Sequence, residues 1–148
     1  MTKIHEINLL GQSIWLDSIS RNMFESGQLS DLIKKGVSGL TSNPTIFDKA
    51  VSETDLYDNQ IKQLHLEGKN SEEIFEAIAI RDVQSAADLM INVYKKTQYK
   101  DGYISIEVSP KLANNSELTI EEGIRLWNSI DRPNIMIKVP GTESGSVA

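Results

Sequence analysis

Two acids and one amine occupy positions where ionisable groups are costly. Asp17, Glu107 and Lys138 each close a short apolar run, following Ile14-Trp15-Leu16, Ile104-Ser105-Ile106 and Ile135-Met136-Ile137. In a parallel sheet covered on both faces, strands normally run as near-continuous apolar stretches. A charge inside such a sheet must be paired. Each of the three is therefore either a solvated strand end or part of a site at the C-terminal edge of the sheet, where α/β enzymes place their ionisable groups. Period-2 alternation puts Ser13, Trp15 and Asp17 on one face, as it does Ser105 with Glu107 and Met136 with Lys138. Ile14, Leu16, Ile104, Ile106, Val108, Ile135, Ile137 and Val139 take the other. If the wholly apolar face meets helices, the mixed face and all three charges point into the interior of a barrel.

A second candidate is the polar turn Gly39-Leu40-Thr41-Ser42-Asn43-Pro44-Thr45. Helix capping explains part of it, with Asn43 as cap and Pro44 at the first helical position. The functional alternative is that Thr41, Ser42, Thr45 and the Asn43 amide face a polyhydroxylated ligand at the same edge as the charges.

The elements that must position these residues follow from periodicity. Residues 13–17, 37–41, 103–109 and 134–139 have strand length and β-rich composition. Between them lie helical patterns. Ile120, Ile124 and Trp127 form one stripe, with Thr119 and Glu122 as its capping box. Residues 71–97 carry Phe75, Ile78, Ala86, Met90 and Val93 near one face, with Ser71 as N-cap. Weaker helical segments run from Leu29 to Lys35, ended by Gly36, and from Thr54 to Leu66, ended by Gly68. Strands separated by helices of crossover length imply βαβ units and a parallel sheet. The class is α/β, either a small open doubly wound domain or four strands of a (β/α)₈ barrel.

Composition narrows the partners. The chain has 148 residues, 39% of them hydrophobic, which suits one domain or part of one. Its net charge of -6 is the wrong sign for nucleic acid. The longest apolar run, Ala77 to Ile80, predicts no transmembrane helix, and Lys3, His5, Glu6, Asn8 and Gln12 interrupt any signal-peptide core. With no cysteine, thiolate zinc sites and disulfides are excluded and a cytoplasmic location is expected. His5 and His65, the two histidines, read as surface residues, so no zinc site is expected.

The segments Gly-Leu-Thr-Ser-Asn-Pro-Thr-Ile-Phe (39–47) and Ile-Met-Ile-Lys-Val-Pro-Gly-Thr-Glu-Ser-Gly (135–145) resemble two signatures of the transaldolase family, and Ile-Arg-Asp-Val-Gln-Ser-Ala-Ala-Asp (80–88) is similar to the family as well. The resemblance implies a (β/α)₈ barrel that moves a dihydroxyacetone unit from a ketose phosphate to an aldose phosphate in the non-oxidative pentose phosphate pathway, without metal or organic cofactor. By match, it implies that Lys138 is the Schiff-base nucleophile, Glu107 an acid/base working through a water, and Asp17 the group that handles the sugar hydroxyl proton. Asn43 matches the residue that holds the dihydroxyacetone hydroxyls. Family members continue through four further strands that carry their phosphate-binding serine and arginine. The sequence stops at Ala148, in the loop after the lysine strand. It therefore resembles the N-terminal half of such a barrel, expected to be inactive alone and to self-associate or pair with the missing half.

That chemistry suits these residue types. A lysine attacks a carbonyl only when neutral, a state favoured by apolar surroundings or a nearby cation. The iminium then draws electrons from a carbon–carbon bond as a neighbouring hydroxyl loses its proton. Two rivals stand beside this reading: a Schiff-base aldolase of the same fold that releases its three-carbon product, and a non-catalytic half-barrel acting by association.

Overall fold

Four strands lie side by side in their order along the chain, every neighbouring pair parallel: β1 (Trp15–Leu16), β2 (Gly39–Thr41), β3 (Tyr103–Glu107) and β4 (Ile135–Lys138). The computed structural model describes residues 2–148. Helix α1 (Lys3–Leu9) precedes the sheet. The crossover from β1 to β2 carries α2 (Arg21–Glu25) and α3 (Gln28–Lys35). The next carries α4 (Pro44–Ser52), a 3₁₀ turn at Asp55–Tyr57, α5 (Asp58–Leu66) and α6 (Ser71–Lys96). Helix α7 (Ser116–Ile130) joins β3 to β4, and α8 (Glu143–Val147) follows. The fold is α/β, four consecutive βα units of a (β/α)₈ barrel.

The apolar strand face meets the helices, as the alternation predicts. Leu40, Ile104, Ile106, Val108 and Ile135 are buried in one cluster with Ala79, Val83, Ala86, Ala87 and Met90 of α6 and Leu126 and Ile130 of α7. The alanines let α6 lie close to the sheet, and each large apolar side chain buried there contributes about 1.5–3 kcal/mol. Asn134, fully buried, donates to the carbonyls of Ala87 and Gly102 and so ties the start of β4 to the body of α6 and the start of β3. Gly102 is required there: its φ is +87°, and a Cβ would stand 2.3 Å from the Tyr94 nitrogen. On the other face, the Trp15 indole lies over Gly39, where a Cβ would come within 2.3 Å of the ring.

Several local expectations need correction. Strand β1 is two residues long, and β3 and β4 stop at the charged residue. The N-cap of α6 is Asn70, not Ser71, because the Asn70 side chain accepts from Glu73 N while Glu73 accepts from Asn70 N. Helix α7 begins at Ser116 with Asn115 as cap. Thr119 is buried inside the helix, its hydroxyl donating to Leu112 O, so it caps nothing. The stripe of Ile120, Ile124 and Trp127 faces outward, 41%, 58% and 45% exposed, while Leu126 and Ile130 meet the sheet. Thr54 caps the 3₁₀ turn rather than starting α5. Helices α1 and α2 were not expected. The first is closed by a Thr2–His5 capping box, the second capped by Ser20. At five and seven residues both are too short to declare themselves by periodicity.

Candidate active site

The last residues of β3 and β4 are register partners, Glu107 with Lys138, so their side chains leave the same face side by side. Lys138 Nζ lies 3.2 Å from Glu107 Oε2. The ammonium also donates to the Ser42 carbonyl at 2.7 Å and to Thr41 Oγ1 at 3.2 Å. Thr41 and Ser42 reach it because β2 ends two strands away, where Thr41 pairs with Ser105. The Ser105 hydroxyl donates to Thr41 Oγ1 at 2.9 Å, and the Ser42 hydroxyl donates to the Ser105 carbonyl at 2.7 Å. Ser42 and Ser105 are both buried. Three strands are thus stitched together beneath one amine. A partly exposed ion pair is worth at most about 1 kcal/mol, so stability does not account for Glu107 and Lys138.

Asp17, exposed, follows directly on β1. It lines a cleft of about 850 Å³ together with Asn43, Thr45, Lys49 and Glu107. The Asn43 side-chain carbonyl accepts from Ile46 N at the start of α4, which leaves the amide nitrogen to face the cleft. Capping and ligand binding are therefore compatible at this residue. A family model described as Transaldolase/Fructose-6-phosphate aldolase matches residues 14–148.

The chain belongs to the transaldolase/fructose-6-phosphate aldolase family. It is 48% identical over 141 residues to a transaldolase of Trichodesmium erythraeum, covering 95% of this chain and 37% of that protein. A transaldolase of Thermobifida fusca is 44% identical over 143 residues, 96% of this chain and 39% of its own length. One from Thiobacillus denitrificans is 41% identical over 141 residues, 95% and 39% respectively. The chain thus spans about two fifths of the length of the curated relatives it matches. The family match includes all four strands and leaves α1 outside.

The structure brings Lys138, Glu107 and Thr41 into direct contact and sets Asp17, Asn43 and Thr45 around the adjoining cleft. Ser42 takes part through its carbonyl, with its hydroxyl turned into the sheet. Sequence reasoning expected apolar or cationic neighbours for the lysine. Instead two hydrogen-bond acceptors and the carboxylate of an ion pair surround Nζ. Ser105 was not singled out for chemistry, although its parity with Glu107 was the signal that placed it here.

A second polar network lies away from the cleft. Asp82, 1% exposed, accepts from Arg21 Nε at 2.9 Å and from the Tyr57 hydroxyl at 2.8 Å. Arg21 also donates to Leu56 O and Gln60 and sits 4.3 Å over the Tyr57 ring. Burial pushes the Asp82 carboxyl up, against the hydrogen bonds from Arg21 and Tyr57 that pull it down. Burial also raises the Tyr57 hydroxyl above its ordinary range, so it remains a donor. This network gives the 80–88 segment a structural role, fastening α2 and the 3₁₀ turn to α6.

Proposed function

We propose that this chain supplies the imine-forming part of a transaldolase that transfers dihydroxyacetone from fructose 6-phosphate or sedoheptulose 7-phosphate to an aldose phosphate. The observation that carries the reading is the 3.2 Å approach of Lys138 to Glu107 beside the cleft that Asp17 and Asn43 line. Lys138 gives a proton to Glu107, and the neutral amine adds to the ketose carbonyl. The carbonyl π electrons move to oxygen, and the added nitrogen, now cationic, gives up a proton that this oxygen takes, which leaves a neutral carbinolamine with a lone pair on nitrogen. Glu107 then protonates the hydroxyl of the carbinolamine, and water leaves as the nitrogen lone pair forms the imine. Asp17 accepts the proton of the fourth-carbon hydroxyl. The bond between the third and fourth carbons breaks toward the iminium, releasing the aldose phosphate and leaving an enamine. The Asn43 amide and the Thr45 hydroxyl hold the three-carbon unit until the enamine adds to the carbonyl of an acceptor. Reversal of the first steps frees the product. No metal or organic cofactor enters.

This activity belongs to the non-oxidative pentose phosphate pathway and a cytoplasmic enzyme. Its substrates are sugar phosphates rather than nucleic acid or membrane. The family description favours one alternative, a Schiff-base aldolase that releases the three-carbon product to water. The two are separated by a chimera in which this chain replaces the matching residues of the Trichodesmium transaldolase. Given fructose 6-phosphate, the transferase turns over only with an acceptor aldose, whereas an aldolase liberates dihydroxyacetone without one. A chimera that does neither overturns the proposal.

A further inference from the structure

Lys138 presents three N–H bonds, and the structure gives two of them acceptors, the Ser42 carbonyl at 2.7 Å and Thr41 Oγ1 at 3.2 Å, with the Glu107 carboxylate 3.2 Å from the same nitrogen as its ion-pair partner. A carbonyl can only accept. A threonine hydroxyl can accept or donate, and left alone it could turn its proton toward a neutral amine. Ser105 narrows that freedom. Its hydroxyl, 3% exposed at the middle of β3, donates to Thr41 Oγ1 at 2.9 Å and takes one of the two lone pairs of that oxygen, while Lys138 takes the other.

We propose that Ser105 is a positioning residue which, through Thr41, fixes the direction of the Lys138 lone pair. The proposal rests on the imine-forming reading above and adds to it. When the amine loses a proton, two hydrogens stay with Ser42 O and Thr41 Oγ1. The proton that leaves is the one facing Glu107: an N–H bond breaks, an O–H bond forms on the carboxylate, and the two opposite charges cancel. The lone pair then points toward Glu107, which lines the cleft with Asp17 and Asn43. A carbonyl entering from that side meets the nucleophile and the newly protonated acid together. Orientation of this kind acts on the rate of bond formation and not on ligand affinity, because Ser105 is buried beneath Thr41.

The test is reductive trapping of dihydroxyacetone by cyanoborohydride on the 148-residue chain, with alkylation at each lysine quantified by peptide mass spectrometry. In the unmodified chain Lys138 is alkylated faster than exposed lysines such as Lys62 and Lys95. In Ser105→Ala the maximal rate at Lys138 falls about tenfold, equivalent to about 1.4 kcal/mol of barrier. The half-saturating dihydroxyacetone concentration and the rates at Lys62 and Lys95 stay the same. Thr41→Val shows the same loss and Thr41→Ser recovers most of it. That pair carries the test should far-ultraviolet circular dichroism show Ser105→Ala unfolded. A Ser105→Ala chain trapped at the unmodified rate, or one slowed only through a raised half-saturating concentration, overturns the positioning role and leaves the Schiff-base reading standing. If Lys138 in the unmodified chain is trapped no faster than Lys62 and Lys95, both fall.

Discussion

Glu107 and Lys138 face each other across the β3–β4 register, and the pairing that levels their backbones sets Oε2 and Nζ 3.2 Å apart. Acid and amine stand on two rigid neighbouring strands, so no loop has to close to bring them together. In the trapping reaction, Lys138→Arg abolishes the adduct at this position, since a guanidinium stays protonated. Glu107→Gln keeps the shape but cannot take a proton. Its trapping rate falls by a factor on the order of 10²–10⁴, the usual worth of a positioned acid–base group. Unchanged trapping in Glu107→Gln would remove Glu107 from the mechanism.

Asp17 lines the same cleft as Glu107 and, on the proposed mechanism, acts at a later step. In the chimera with the Trichodesmium transaldolase, Asp17→Ala still gives a borohydride-fixed imine with fructose 6-phosphate at Lys138. Release of the aldose phosphate slows by a factor of about 10² or more, because only the acceptor of the hydroxyl proton is gone. An intact mass showing no adduct in Asp17→Ala would contradict this division of labour.

The sheet and the placement of its three charges were legible because period-2 alternation and apolar runs are strong local signals. Parity alone put Ser105, Glu107 and Lys138 on the mixed face. What the sequence could not convey was distance across strands. The reach of Lys138 to Thr41, 97 residues away in sequence, depends on two register choices, β2 against β3 and β3 against β4. The exposed face of α7 misled for a related reason. Ile120, Ile124 and Trp127 are spaced like a core stripe, yet Thr119, Leu126 and Ile130 are the residues turned inward. Nothing local marks Asp82 beyond its place in the 80–88 segment, since its partners Arg21 and Tyr57 are remote in the chain.

Asp82 gives a pH-dependent test of the fold. Its carboxyl is raised above the ordinary value of 3.8. Between those two values the folded chain holds a proton that the unfolded chain has lost, so the stability contributed by this group grows as pH falls into that window and is smallest above it. Asp82→Asn has the shape of the protonated acid and does not titrate, so it removes this pH dependence. Relative to Asp82→Asn, the melting temperature of the unmodified chain should rise as pH falls through the window and hold steady below 3.8. A relative melting temperature that falls on acidification would mean that the carboxyl is depressed, not raised.

Gly39 is held by a neighbour and not by a turn. A methyl group there would stand 2.3 Å from the Trp15 ring, and overpacking of this kind costs about 1–3 kcal/mol. Gly39→Ala lowers the melting temperature in the unmodified background. Combined with Trp15→Leu it costs far less, because the two changes are coupled through one contact. Additive losses in the double variant would show that the indole does not lie over Gly39.

A polypeptide of these 148 residues on its own should associate and should lack transfer activity. Among the described residues β1 and β4 each pair with a strand on one side only, leaving two rows of backbone donors and acceptors. Met136 and Val139 on and after β4, with Ile120, Ile124 and Trp127 of α7, add exposed apolar surface beside one of those edges. Edges and apolar surface together favour pairing, with a second copy or with the rest of a transaldolase chain. Activity fails for a different reason. On the proposed mechanism Lys138 and Glu107 supply the imine chemistry beside the cleft, but the resemblance assigns the phosphate-binding serine and arginine to strands beyond β4. Binding energy from that remote phosphate would then be what holds the reacting carbonyl against Lys138. Sedimentation velocity should therefore show species larger than 16.5 kDa. A transfer assay with fructose 6-phosphate and erythrose 4-phosphate should register no turnover, while dihydroxyacetone, which has no phosphate, is still trapped on Lys138. Adding the remaining segment of the Trichodesmium transaldolase as a separate chain should shift the sedimenting species to a one-to-one complex and restore transfer. A monodisperse monomer that transfers dihydroxyacetone at the rate of a complete family member would show that four βα units suffice.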